Sequence, residues 1–284
     1  MKFLSSVIVA LALPMMACAQ EPTDTVTVFM IGDSTMANKS LGKENQERGW
    51  GQMLPVYLEG KVKVDNHAVN GRSSKSFIDE GRWEKVREQI RPGDYVIIQF
   101  GHNDEKIKDA RRYTVPGGSF DENLKKFVTE TREKGGTPIL MNAIVRRNFP
   151  ATDGTTAGET DDTHKTWTKN LENYPKEGVI LVDTHGEYLN SPRNVAKEMD
   201  VVFVDMNKLT HELVQTLGPT LSKNLYMWIP ADTYEFCPNG KIDNTHLNVL
   251  GGILVSRLAV DELAKQVPGL RPYIRRTVNN INNK

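Results

Sequence analysis

The sequence predicts an α/β fold in which helices cover both faces of a parallel sheet. Strand-like and helix-like segments alternate along the chain, short links join most of them, and several strand-like segments are continuous apolar runs. Such runs are typical of strands buried on both faces, and the alternation favours parallel strands. Because 38% of the 284 residues are hydrophobic, the chain can form one large core.

Five segments are predicted as strands because β-branched and aliphatic residues dominate them. In chain order they are Val26–Ile31, Val62–Val69, Asp94–Phe100, Thr137–Ile144 and Val201–Asp205.

Three segments repeat apolar residues at the spacing of one helix face. Their apolar positions are Phe120, Leu124, Phe127 and Val128; Leu209, Leu213, Val214 and Leu217; and Leu250, Ile253, Leu254 and Leu258. A capping box of Ser119 and Glu122 is predicted to begin the first helix. Gly218-Pro219 is predicted to end the second helix.

Two long segments interrupt the alternation. Residues 105–118 are charged and end in Pro-Gly-Gly, and residues 146–190 are rich in Thr, Asp and Gly. Long loops in a compact α/β domain usually carry ligand contacts. We interpret both as excursions over one face of a single domain that spans residues 22–284.

Residues 1–19 have the pattern of a secretory signal peptide. Lys2 precedes an apolar run that is too short to span a membrane, and Ala17-Cys18-Ala19 forms a small-residue cleavage site. Alternatively, Cys18 is the lipidated cysteine of a lipoprotein. Either pattern predicts an exported protein, in the periplasm or outside the cell.

Charge and cysteine content exclude several classes of protein. The 36 basic and 36 acidic residues cancel, so nothing indicates binding to nucleic acid or to an anionic membrane. After cleavage Cys237 is the only remaining cysteine, so the mature chain forms no internal disulfide. Cysteine and histidine show no zinc-ligand spacing, and we expect neither a metal nor a cofactor.

Gly32-Asp33-Ser34 follows the first predicted strand, where a parallel sheet presents groups to ligands. A serine hydroxyl is a poor nucleophile by itself and needs a base, a group that orients the base and donors for the oxyanion. Taken alone, such a triplet is more typical of a plain turn.

Three further motifs supply candidates for those roles. Gly71 follows the second strand and can turn its N–H toward a ligand, although this segment also reads as a helix-capping turn. Asn103 follows the third strand and can donate from its amide; an Asx-turn is the alternative, but the position at a strand end favours function. Asp243 precedes His246 by three residues and can orient its ring, although a capping Asp beside a surface His has the same spacing.

Together these motifs resemble the SGNH (GDSL-like) hydrolase family, whose motifs centre on Ser, Gly, Asn and His in this chain order. The matching residues are Ser34 in GDSTMAN, Gly71 in VNGRSS, Asn103 in GHND, and Asp243 with His246 in DNTH. The resemblance runs from about residue 26 to the final helix. GDSTMA, AVNGRSS and QFGHND are most similar to the rhamnogalacturonan acetylesterases, and RRNF and VDTHGEY to their bacterial members.

The resemblance implies a flavodoxin-like three-layer α/β/α sandwich with a five-stranded parallel sheet. It implies a serine acyl-enzyme mechanism with Ser34 as nucleophile, His246 as general base and then acid, and Asp243 as the orienting group. The oxyanion hole would consist of the backbone N–H groups of Ser34 and Gly71 and the side chain of Asn103.

The resemblance also implies an acetylated plant polysaccharide, rhamnogalacturonan, as the substrate. Galacturonate is anionic and guanidinium groups bind carboxylates well, so Arg72, Arg146 and Arg147 are candidate substrate contacts, or else solvated surface residues. Asp33 and His102, next to Ser34 and Asn103, are candidate supports of the catalytic residues.

Three other functions remain open. The alternatives are an acetylesterase that acts on xylan or another glycan, a short-chain lipid-type acyl hydrolase on the same scaffold, and a non-catalytic glycan-binding protein. A flavodoxin-like nucleotide binder is disfavoured because the first strand lacks a glycine-rich phosphate loop.

Overall fold

The computed structural model describes residues 25–150 and 178–275. The predicted signal peptide (1–19), and with it the alternative lipidation of Cys18, lies outside these residues. So do residues 151–177 of the second predicted excursion.

The main sheet contains five parallel strands, as predicted. They are β1 (Val26–Gly32), β2 (Val62–Asn66), β3 (Tyr95–Gln99), β4 (Thr137–Met141) and β5 (Val202–Val204). Their spatial order is β2-β1-β3-β4-β5, which is the flavodoxin-like order. Strand β2 is added on one side of β1, and β3 to β5 are added on the other side. The loops that follow β1, β2 and β3 therefore meet at the same edge of the sheet.

Helices cover both faces of the sheet and complete three layers. They are α1 (Trp50–Met53), α2 (Ser74–Asp79), α3 (Arg82–Arg87), α4 (Ser119–Glu133), α5 (Asn190–Met199), α6 (Met206–Leu221) and α7 (Val249–Gln266). Helices α1, α6 and α7 pack on the face that presents Val28 and Met30. Helices α2 to α5 pack on the face that presents Phe29 and Ile31. Because successive side chains of β1 point to opposite faces of the sheet, this strand contributes to both hydrophobic cores.

The predicted helix signals have mixed outcomes. Helix α6 loses helical geometry at Gly218, as predicted. The capping box before α4 is wrong: Gly118 is the N-cap, and the Ser119 hydroxyl accepts a hydrogen bond from the N–H of Val115 instead. The stripe predicted for α7 is also displaced, since Leu250 is exposed and the buried face begins at Gly251.

A two-stranded antiparallel ribbon, which the sequence analysis did not predict, precedes α7. It pairs β6 (Tyr226–Ile229) with β7 (Lys241–Leu247). Strand β7 reads Lys-Ile-Asp-Asn-Thr-His-Leu and lacks the regular apolar alternation that marks a strand. Among the described helices, none has the length and apolar character needed to cross a bilayer.

Phe127 tests the packing between α4 and the sheet. It is fully buried, lies edge-on to Trp83 at 5.0 Å and stacks on Phe100 at 5.6 Å between ring centroids. Because truncation leaves a cavity, we expect Phe127→Ala to lower the free energy of unfolding by about 3–5 kcal/mol, measured by urea denaturation. Leu221→Ala, at a residue that is 57% exposed, is the control and should change it by less than about 0.5 kcal/mol. Equal losses in both variants would contradict this packing.

Candidate active site

The end of β1 places Ser34 at the tip of a tight turn. Gly32 lies so close to β3 that a Cβ atom there would be 2.6 Å from the carbonyl oxygen of Gln99, and glycine is therefore required. The Asp33 carboxylate accepts hydrogen bonds from the N–H and the hydroxyl of Thr35, at 2.9 and 2.8 Å. These bonds fix the turn on the far side of Ser34.

The ribbon brings His246 to that serine. His246 Nε2 is 2.9 Å from Ser34 Oγ, and His246 Nδ1 is 2.7 Å from Asp243 Oδ2. The other carboxylate oxygen of Asp243 accepts from the N–H groups of Thr245 and His246. The imidazole is thus held by a carboxylate on one side and faces a hydroxyl on the other, as nucleophilic catalysis requires.

The electrostatics of this pair favour a charged imidazole. Burial alone favours neutral Asp243, but the His246 charge and hydrogen bonds, with help from Lys241, hold the pKa of this carboxyl well below its usual range. Burial likewise opposes a charge on His246, but Asp243 and Glu47 raise its pKa above the ordinary value. The site is therefore suited to accept a proton on His246.

A chain of charged side chains, each no more than 15% exposed, lies behind Asp243 and was not predicted from the sequence. Lys241 Nζ is 3.4 Å from Asp243 Oδ2 and 2.9 Å from Glu47 Oε2. Lys39 Nζ is 2.8 Å from Glu47 Oε1 and donates to Asn70 Oδ1 at 2.6 Å. This network, Lys39–Glu47–Lys241–Asp243, joins the loop after Ser34 to the loop before Gly71. Its only sequence signal is that Lys39 directly follows the serine motif.

The predicted oxyanion donors lie in the loops after β2 and β3. Gly71 has a φ of +74°, in the left-handed region that favours glycine. Within residues 25–150 and 178–275, no hydrogen bond occupies the N–H of Ser34 or of Gly71. The buried Asn103 side chain donates one hydrogen bond, to the carbonyl of Arg72 at 3.2 Å, and keeps a second N–H. Three donors are therefore available.

Asp33 and His102 are both buried in this region. Burial raises the pKa of Asp33, although its hydrogen bonds to Thr35 oppose the rise. Burial, His185 and Arg146 together hold the pKa of His102 well below its usual range. Neither ring nitrogen of His102 has a hydrogen-bond partner in the part of the chain that the structure describes.

His185 also follows an aspartate closely, in Asp183-Thr184-His185, but it is not placed to act as a base. Its Nδ1 is 2.9 Å from Glu105 Oε2, and its Nε2 is 3.1 Å from the carbonyl oxygen of Ile144. Both nitrogens are thus occupied inside the protein, and the ring packs edge-on against His102 at 4.5 Å.

Arg146 and Arg147 are not positioned to touch substrate, contrary to the prediction. Arg146 is buried and pairs with Glu105 at 2.6 Å. Arg147 is fully buried, donates to Asn244 Oδ1 at 2.9 Å and lies 4.9 Å from the ring of Trp228. Since these partners belong to β6 and β7, Arg147 anchors the ribbon that carries the candidate base.

Arg72 is the most accessible of the three arginines that were predicted to contact the substrate. Its side chain is 32% exposed and pairs with Glu80 at 3.1 Å, while its Nη1 donates to the carbonyl of Asn70. It therefore lies at the surface beside Gly71 with part of its charge balanced.

A model of the GDSL-like Lipase/Acylhydrolase family matches residues 30–251. The matched range includes Ser34, Gly71, Asn103, Asp243 and His246. The chain belongs to this family. It is a carboxylic-ester hydrolase, because its similar relatives in the family include named acetylesterases.

Two similar relatives are named acetylesterases, and two solved structures share the fold. Rhamnogalacturonan acetylesterase RhgT of Bacillus subtilis (strain 168) is 33% identical over 236 residues, or 83% of this chain and 88% of that protein. The rhamnogalacturonan acetylesterase of Emericella nidulans is 28% identical over 81% of each chain. The crystal structure of YXIM from Bacillus subtilis superposes with a TM-score of 0.63 at 26% identity, covering 86% of this chain and 57% of that one. A catalytic mutant of the acetylxylan esterase Axe2 from Geobacillus stearothermophilus, at 16% identity, covers 84% of this chain and 94% of that one and shares the fold with a TM-score of 0.53.

The raised pKa of His246 predicts a measurable pH dependence. Because the base must be neutral in the free enzyme, kcat/KM for an aryl acetate should fall below a midpoint that lies above about 6.5, the ordinary imidazole value. Asp243→Asn removes the carboxylate that raises this pKa. It should move the midpoint to lower pH and lower kcat by about 10⁴-fold. Asp79→Asn on the surface is the control, and an unchanged midpoint in Asp243→Asn would contradict the pairing.

Glu47 predicts how stability depends on pH. Although burial opposes its ionisation, His246, Lys39 and Lys241 lower its pKa from the ordinary 4.5 to about 2. The ionised carboxylate therefore stabilises the fold above about pH 4.5. This contribution is lost as the pH falls toward about 2. Glu47→Gln should lower the free energy of unfolding at pH 7 by about 3–5 kcal/mol, because it leaves buried charge uncompensated.

The measurement for Glu47 is urea denaturation between pH 7 and pH 2. The parent should lose stability in acid more steeply than Glu47→Gln, so that the two curves converge. Glu235→Gln, at an exposed acid, is the control and should follow the parent. Parallel curves for the parent and Glu47→Gln would exclude this role of Glu47.

Proposed function

We propose that this protein is a serine acetylesterase that removes acetyl groups from a carbohydrate, with acetylated rhamnogalacturonan as its substrate. The observation that carries the proposal is the position of His246, within hydrogen-bond distance of both Ser34 Oγ and Asp243 Oδ2. An imidazole placed between a hydroxyl and a buried carboxylate is the arrangement by which a serine is activated.

The first half of the reaction forms the acyl-enzyme. Ser34 Oγ attacks the ester carbonyl carbon as its proton passes to His246 Nε2, and Asp243 stabilises the resulting imidazolium. The carbonyl oxygen becomes an oxyanion that accepts hydrogen bonds from the N–H groups of Ser34 and Gly71 and from Asn103 Nδ2. The bond between the acyl carbon and the sugar oxygen then breaks, and His246 gives its proton to that oxygen, which leaves as the sugar hydroxyl.

The second half releases acetate. A water molecule gives a proton to His246 Nε2 and attacks the acetyl-serine carbonyl carbon. The same donors stabilise the second oxyanion. When the bond to Ser34 Oγ breaks, His246 returns the proton to the serine, and the enzyme is regenerated.

The substrate class rests on the relatives and on one surface arginine. Two relatives similar over more than four-fifths of the chain are named rhamnogalacturonan acetylesterases. Arg72 borders the oxyanion loop with part of its side chain exposed, where a galacturonate carboxylate could meet its guanidinium. The acetylxylan esterase neighbour is too distant in sequence to favour xylan. We also propose that the enzyme is exported, on the pattern of residues 1–19.

Substitution of the nucleophile tests the reaction. Ser34→Ala should remove acetate release and labelling by a serine-reactive phosphonate, because no other group supplies the attacking oxygen. Ser40→Ala, at an exposed serine in the next segment, is the matched control and should keep both. Parent-like hydrolysis of an aryl acetate by folded Ser34→Ala would contradict the proposal. A parent that is neither labelled by the phosphonate nor active on any ester would also contradict it and would support a glycan-binding protein.

The substrate is tested by measuring acetate release from acetylated rhamnogalacturonan, acetylated xylan and an aryl acetate in parallel. We expect the highest kcat/KM on rhamnogalacturonan and a sharp fall on aryl esters beyond two acyl carbons. A preference for xylan, or sustained rates on longer acyl chains, would replace this substrate by one of the alternatives.

A further inference from the structure

The Asn103 amide has a fixed orientation because each end meets a partner of one chemical type. Its Oδ1 accepts a hydrogen bond from Arg112 Nη1 at 3.0 Å, and its Nδ2 donates to the backbone carbonyl of Arg72 at 3.2 Å. A guanidinium only donates and a carbonyl only accepts, so the amide cannot be reversed without losing both bonds. One N–H of Asn103 remains for a ligand.

We propose that Arg112 is a positioning residue of the oxyanion hole, which holds the Asn103 amide so that its free N–H faces the developing oxyanion. This inference rests on the proposed function, in which Asn103 is an oxyanion donor. Rotation of an unrestrained amide would replace this N–H by a carbonyl oxygen, which repels an oxyanion. The Arg112 contact prevents that rotation.

The position of Arg112 is itself fixed. Its Nε donates to Asp109 Oδ2 at 2.8 Å, and its backbone N–H donates to the carbonyl of Asp109. The segment is tied down further along by Thr114, whose hydroxyl donates to the buried Asp104 at 3.0 Å. The charged excursion at residues 105–118 thus holds the Arg112 guanidinium in place beside the active site.

The guanidinium also polarises the amide it holds. A hydrogen bond from a cation to Oδ1 draws electron density toward the oxygen and strengthens the N–H groups of the same amide as donors. This effect grows as negative charge develops on the substrate oxygen, so it acts on the transition state more than on the bound ester. Loss of Arg112 should therefore lower kcat and leave KM nearly unchanged.

Arg112→Met tests the inference, because methionine keeps most of the length and removes the donors and the charge. We expect kcat on an aryl acetate to fall about tenfold with an unchanged KM, less than the roughly 10²–10³-fold loss expected for Asn103→Ala. Arg111→Met is a matched control, since Arg111 pairs with the same Asp109 but exposes 90% of its side chain. It should behave like the parent. Arg112→Lys keeps the charge and one donor and should recover part of the loss.

A double-mutant cycle separates positioning from a general effect on the fold. In an Asn103→Ala background, Arg112→Met should cause no further loss of kcat, because the group it positions is absent. Parent-like kcat in Arg112→Met, or the same tenfold loss in both backgrounds, would overturn the inference. Parent-like activity of Asn103→Ala would instead refute the oxyanion role in the proposed function. If Arg112→Met does not fold, Arg112→Lys completes the same cycle with a smaller expected loss.

Discussion

The structure depends on one contact between distant parts of the chain: the hydrogen bond between His246 Nε2 and Ser34 Oγ, which lie 212 residues apart in sequence. Such a contact requires two rigid supports. Ser34 gains its support from the end of β1, where Gly32 allows the chain to turn against β3. His246 gains its support from the β6–β7 ribbon, which Arg147 ties to the segment after β4. The sheet edge determines where the two supports meet.

The buried charges around the imidazole form a balanced set. Lys39 and Lys241 carry two positive charges, and Glu47 and Asp243 carry two negative ones, in alternating contact. Buried ion pairs are poor sources of stability, because desolvation offsets most of the attraction. Their arrangement is better explained by the chemistry, since a balanced set holds Asp243 ionised and lets His246 become positive without a large net charge in the interior.

The sequence was most informative where a signal is local. Runs rich in β-branched and aliphatic residues located all five parallel strands, and the short motifs placed Ser34, Gly71 and Asn103 after strands, where the structure has them. Asp243 and His246 were expected just before the last helix, but they lie within strand β7. The ribbon escaped prediction because β7 is mostly polar and lacks the regular apolar alternation that marks a strand. Arg147 illustrates another difficulty, since a sequence gives its charge but not Asn244 or Trp228 as its partners.

The loops that bear the proposed oxyanion donors are held by hydrogen bonds to one buried carboxylate. Asp104 accepts from the N–H and hydroxyl of Ser74 and from the hydroxyl of Thr114, so it joins the loops after β2 and β3 to the 105–118 excursion. Burial raises the pKa of Asp104 to about 7, although these bonds oppose the rise. An oxyanion hole is effective only if its donors are in place before charge develops. Asp104 directly follows Asn103 and binds Ser74 at the start of α2, three residues after Gly71. A single side chain therefore links the two segments that carry the proposed donors, and the excursion is part of that framework.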